Sequence, residues 1–65
     1  MNREKIAKTL VYLRGGKSRE EVAAALKISV SALSMYETGA RIPRDEIKIA
    51  IANYYSQSVA EIFFS

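Results

Sequence analysis

The side chains best suited to chemistry in this 65-residue chain lie between Ser18 and Gly39, in the stretch SREEVAAALKISVSALSMYETG. On a helix from about Val30 to Thr38, one side gathers Val30, Ser31, Ser34, Met35 and Thr38, and the other Ala32, Leu33 and Tyr36. The outward side carries hydroxyls, a thioether and a small aliphatic group, but no charge. A plain solvated face more often carries Lys, Glu or Gln. Such a surface recognises by hydrogen bonding and close apolar contact. An uncharged face that begins at a helix N-terminus suits insertion into a DNA major groove. It suits a protein interface equally well.

Covalent chemistry has little to work with. The chain has no His and no Cys, so nucleophilic dyads, imidazole acid–base steps, a conventional zinc cluster and a disulfide are all absent. The carboxylates are spread through capping positions with no convincing catalytic pair. The expectation is a protein that is not an enzyme and that needs neither metal nor cofactor. Net charge is +3, which permits a nucleic-acid partner without demanding one. The length gives room for one domain, residues 1–65, with a small core packed from a 49% hydrophobic composition. No apolar run approaches the roughly 18 residues a membrane span needs. The N-terminus, MNREKIAKTL, has no long apolar stretch or small-residue cleavage site. A cytoplasmic protein with no membrane partner is expected.

The elements that must position this face read as short helices. Residues 2 to 14 form the first, with Asn2 as N-cap and Ile6, Ala7, Leu10 and Leu13 on one side; Gly15-Gly16 end it. Ser18 and Glu21 have capping-box spacing at the start of the second, whose Val22, Ala23 and Leu26 face inward. Ala23 is small enough for another helix to cross closely. Lys27-Ile28-Ser29 is the turn, with Ser29 capping the third helix, and Gly39 ends it. Glu37 sits at the border of the buried side and needs a cationic partner if desolvated. Pro43 fits the first position of a fourth helix running to about Tyr55, with Ile47, Ala50, Ile51 and Tyr54 toward the core. Ser58 and Glu61 repeat the capping-box spacing before a last helix, Val59 to about Phe63. With no strand-like alternation, the fold class is all-α: five short helices, the second and third forming a helix-turn-helix.

These residues carry a family resemblance. Leu13-Arg14, Glu20-Glu21-Val22-Ala23, Leu26, Ile28-Ser29, Leu33-Ser34, Tyr36-Glu37 and Gly39 match in order. So do Arg41, Pro43, Ile51-Ala52, Ser58-Val59 and Glu61-Ile62-Phe63. The chain resembles the lambda repressor/Cro type of helix-turn-helix regulator (the xenobiotic-response-element type), especially small single-domain members from bacterial or phage genomes. Three departures stand out. The turn between the first two helices is about two residues shorter than the family's. Arg19 stands where the family commonly has Gln, a side chain that reaches a phosphate and braces the recognition helix, and Lys27 where it often has Gly.

The resemblance implies sequence-specific binding of double-stranded DNA by helix 3, about residues 30–38, as a transcriptional regulator that represses. Base readers are then Val30, Ser31, Ser34 and Met35. None makes a bidentate base contact, so weak discrimination per base is expected, with A·T-containing sites preferred. Phosphate contacts fall to Arg19, Thr38, Arg41, Arg44 and, more weakly, Lys48. Arg14 matches the family arginine that pairs with a glutamate, here Glu37. A homodimer is expected, and Ile49, Ala52, Phe63 and Phe64 are its candidate patch unless they merely complete the core. The competing class is a protein-interaction module, an antitoxin or anti-repressor using the neutral face of helix 3. No sensor domain is visible, so no small-molecule ligand is expected.

Overall fold

A computed structural model describes all residues, Met1–Ser65. It contains α1 (Arg3–Arg14), α2 (Arg19–Leu26), α3 (Val30–Thr38), α4 (Asp45–Tyr54) and α5 (Val59–Phe63), with no strand. The all-α expectation holds.

Each helix but one starts where a short polar side chain satisfies a free amide. Asn2 accepts from Lys5 N, Ser18 from Glu21 N, Ser29 from Ala32 N and Ser58 from Glu61 N. Only at Ser58 is the capping box reciprocal, with Glu61 Oε1 accepting from Ser58 N at 3.1 Å. Ser18 forms its half of the box, but the Glu21 carboxylate does not reach back. α4 differs from its sequence reading. Arg44 is its N-cap and gives no side-chain cap, so Pro43 lies two residues before the first helical position and is buried instead.

Three helices end in the same way. Lys27 N donates to Ala24 O and Ile28 N to Ala23 O. Gly39 and Ala40 repeat this pair of bonds on Tyr36 and Met35, and Ser56 and Gln57 repeat it on Asn53 and Ala52. This is the Schellman arrangement, which requires a left-handed residue at its centre. Gly39 supplies it without strain at φ 80, whereas Lys27 and Ser56 adopt φ 58 and 56 despite their side chains. The backbone at Lys27 thus keeps the conformation that glycine favours. Gly15, at φ 58 and ψ −126, occupies a region that glycine alone enters readily and absorbs the short α1–α2 turn.

Packing closes the helices into a ring. α1 lies on α3, α3 on α2, α2 on α4, α4 on α5, and α5 back on α1. The centre is filled by Ile6 and Leu10, Val22, Ala23 and Leu26, Leu33 and Tyr36, Ile51 and Ala52, and Ile62 and Phe63. Ala23 is almost fully buried, and a larger side chain there would push α2 and α3 apart. α4 turns a broader side inward than its apolar stripe suggests. It buries Lys48, Ile51 and Ala52, while Ile47, Ala50, Tyr54 and Tyr55 are only partly covered.

Candidate nucleic-acid interface

The turn between α2 and α3 sets the site. Lys27 reverses the chain, Ile28 packs against the core, and Ser29 caps α3. α3 is then anchored by Leu33, Tyr36 and Glu37, all buried. Its opposite side presents Val30 and Ser31, both exposed, with Ser34 and Met35 half-buried beside them. The four candidate base readers therefore share one side of one helix. Thr38 is exposed at the far end of α3, where it lines a cleft against α1 with Glu4, Ala7, Lys8, Val11 and Tyr12. Its hydroxyl donates to Met35 O at 3.3 Å.

Glu37 is the electrostatic centre of the domain. Its side chain is 0% exposed. Arg14 Nε donates to both carboxylate oxygens, at 3.1 and 2.8 Å, and Arg19 Nε to Oε1 at 2.8 Å. Arg14 Nη1 also donates to Lys17 O at 2.8 Å, which ties down the α1–α2 turn. The expected Arg14–Glu37 contact is therefore present, and Arg19 adds a second cation to it. A buried carboxylate is tolerable only with such partners. The two ion pairs lock α3 to α1 and to the start of α2.

Arg19 also reaches α3 directly, with Nη1 donating to Ser34 Oγ at 3.3 Å. Its Nη2 makes no bond within the chain, and its side chain is 37% exposed. One edge of the guanidinium thus braces α3 while the other faces solvent. The resemblance implies a bracing side chain at this position, and Arg19 braces α3 through Ser34 in place of the family's glutamine. Nearby, Tyr55 places its hydroxyl in the interior without a partner in the chain. Burial first, and the Glu37 charge second, push this phenol up to about 12.

The other cations divide. Arg41 and Arg44 are exposed and line a shallow depression with Ile28, Tyr36, Ile42 and Ile47. Ile28 belongs to the turn that leads into α3 and Tyr36 to its last turn, and Arg41 N donates to Met35 O at 3.3 Å, so the two arginines flank α3 from the loop that follows it. Lys48 does not join them, which corrects its assignment as a phosphate contact. It is 8% exposed, with its ammonium 3.5 Å from Asp45 and over the rings of Phe63 and Phe64 at 5.9 and 5.5 Å. Long lysine stems bury in this way when an aromatic surface is near.

The candidate dimer patch also needs correction. Ala52 and Phe63 are 3% and 1% exposed and belong to the core, so no partner reaches them. Ile49 and Phe64 remain at the surface, 54% and 60% exposed. Phe63 and Phe64 are adjacent on a helical turn, and the inward direction of α5 takes the first of them.

No helix is long and apolar enough to cross a membrane. No group of His, Cys, Asp and Glu side chains is arranged to hold a metal ion. The arrangement supports non-covalent recognition: a firmly held helix with an uncharged outer side, flanked by exposed arginines. Among curated proteins and solved structures, none matches the chain. The helix-turn-helix family matches residues 11–62, from the last turn of α1 into α5, and so spans α2, α3 and the connection between them. The chain thus belongs to the Cro/C1-type helix-turn-helix family, whose domains bind DNA and are not catalytic.

Proposed function

We infer that the protein is a transcriptional repressor that docks α3 in the DNA major groove. The observation that carries this reading is the position of Arg41 and Arg44, which flank α3 from the loop that follows it, with the uncharged Val30, Ser31, Ser34 and Met35 on the outer side of the helix. A helix bearing no charge enters a groove between phosphate backbones, and flanking cations engage those backbones. Arg19 adds a phosphate contact through its free Nη2. Thr38, exposed at the end of α3, adds a further phosphate contact. Bound over a promoter, the domain excludes the transcription machinery. It acts in the cytoplasm as a homodimer, with Ile49 and Phe64 supplying the apolar contact.

The test is titration of labelled random-sequence duplex at two salt concentrations, with Arg41→Ala/Arg44→Ala as the comparison. These two residues are exposed and touch no buried carboxylate, so the variant folds. Binding should fall steeply with salt, and the variant's salt slope should drop by about 1 for each phosphate it no longer neutralises. Absence of binding by folded protein at low salt would refute the reading and assign α3 to a protein partner.

A further inference from the structure

Arg41 and Arg44 bracket Ile42-Pro43 in the loop between α3 and α4, and neither guanidinium has a carboxylate partner within the chain. The depression they line has a volume of about 360 Å³, and the rest of its lining is Ile28, Ile42 and Ile47, all half-buried, and Tyr36. Tyr36 is 8% exposed. Its hydroxyl makes no hydrogen bond within the chain, whereas that of Tyr54 accepts from Lys17 Nζ. The sealed hydroxyl without a partner is that of Tyr55, so the Tyr36 hydroxyl reaches solvent, and this depression is the cleft that Tyr36 lines.

A phosphodiester serves only part of this lining. Its oxygens accept from the two guanidinium groups but gain nothing from three isoleucines. The full lining suits a ligand with carboxylates beside a bulky apolar group. Carboxylates accept in parallel from arginine, the apolar group displaces water from the isoleucines, and a peptide group can pair with the Tyr36 hydroxyl. Small molecules bind in clefts that enclose most of their surface, and this depression is shallow. It takes one side chain while the flanking backbone runs across the surface past the arginines. An apolar anchor in a pocket with charge at the rim is how a protein partner is held.

A second copy of this chain is a poor occupant. Of its exposed large apolar side chains, Tyr12 lies near Arg14, Ile49 follows Lys48, and Phe64 sits against the Lys48 ammonium. Each would bring a cation toward Arg41 and Arg44.

We propose that this depression docks an acidic segment of a partner protein through one bulky apolar side chain. The regulatory consequence rests on the groove-docked reading above. The segment and the operator use the same two guanidinium groups, so the partner releases the protein from DNA.

The chain contains no Trp, so a tryptophan in a probe reports alone. The probe is a capped hexapeptide with a central Trp-Leu pair flanked by Asp and Glu. On adding protein, its emission should shift to the blue, with amide shifts at Ile28, Ile42 and Ile47, and it should displace a labelled random-sequence duplex at low salt. A peptide with Lys in place of its acids should show no emission shift, and one with Ser in place of Trp-Leu should not displace the duplex. Ile47→Thr and Ile28→Thr, confirmed as folded by circular dichroism, keep the arginines; each should weaken peptide binding roughly fivefold and leave duplex affinity in place. Arg41→Ala/Arg44→Ala should weaken both. Unshifted emission at roughly millimolar concentrations, an equal response from the lysine peptide, or amide shifts centred on the α1 cleft would overturn the proposal and leave DNA docking intact. Peptide bound at the depression with the duplex still in place would overturn the phosphate role of Arg41 and Arg44 and leave the peptide site standing.

Discussion

Glu37→Gln is the most informative single perturbation of this domain. The substitution keeps side-chain volume and leaves no cavity, so the change is one of charge. In the parent, three charge-assisted contacts of 2.8 to 3.1 Å converge on a side chain with 0% exposure. Removing one partner of a buried ion pair costs about 3–5 kcal/mol. Here the arginines keep 18% and 37% side-chain exposure, so water restores part of their solvation and the loss falls to about 2–3 kcal/mol. A domain of 65 residues has roughly 3–10 kcal/mol in total. With a urea slope of about 1 kcal/mol per molar, the unfolding midpoint should drop by about 2–3 M. Two companion variants apportion the effect. Arg14→Met should cost more than Arg19→Met, because Arg14 is less exposed, touches both oxygens and also holds Lys17 O. A Glu37→Gln midpoint within about 0.5 M of the parent, or a larger loss from Arg19→Met than from Arg14→Met, would refute this reasoning.

Three further outcomes follow from the geometry. Lys27→Gly and Ser56→Gly should each raise stability by about 0.5–1 kcal/mol, since both residues hold a left-handed backbone at φ 58 and 56; thermal melting should show the two effects adding. Tyr55→Phe removes a buried hydroxyl with no partner in the chain, so stability at neutral pH should hold or rise by about 1 kcal/mol. The parent phenol is neutral in the fold until about 12 but ionises near 10.0 when unfolded, so the parent alone should lose stability as pH rises through that interval. The Glu61 carboxyl is held below its ordinary 4.5 by the Ser58 backbone N–H and then the Ser58 hydroxyl. Its contribution is full above 4.5 and fades as pH falls through the lowered value; an NMR titration of Glu61 should move back toward 4.5 in Ser58→Ala.

What was legible in the sequence was local. Asn2, Ser18, Ser29 and Ser58 each cap a helix because a short polar side chain acts within three residues of itself. Gly39 marked the end of α3 for the same reason, and Ala23 marked the close crossing of α2 and α3. What required the structure was lateral. Lys48 reads as a surface charge by residue type, yet the end of the chain brings two phenyl rings under its stem. Ala52 and Phe63 read as a possible surface patch until α5 packs back on α1 and α4 and encloses them. Pro43 falls two residues short of the first helical position, because the α3–α4 loop buries it first. Arg19 is the clearest case for the site. The resemblance implies a bracing side chain at this position, and the fold supplies the partners it braces against, Ser34 and Glu37.

The outer side of α3, flanked by the arginines of the loop that follows it, is the surface that meets DNA in this reading. Amide chemical-shift mapping on adding an operator-length duplex tests it most directly. The largest shifts should fall at Ser29 to Met35 and Arg41 to Ile47, with Val11, Tyr12, Ile49 and Asn53 left in place. Shifts centred on Ile49 and Phe64, or on the α1 cleft around Val11 and Tyr12, would contradict it.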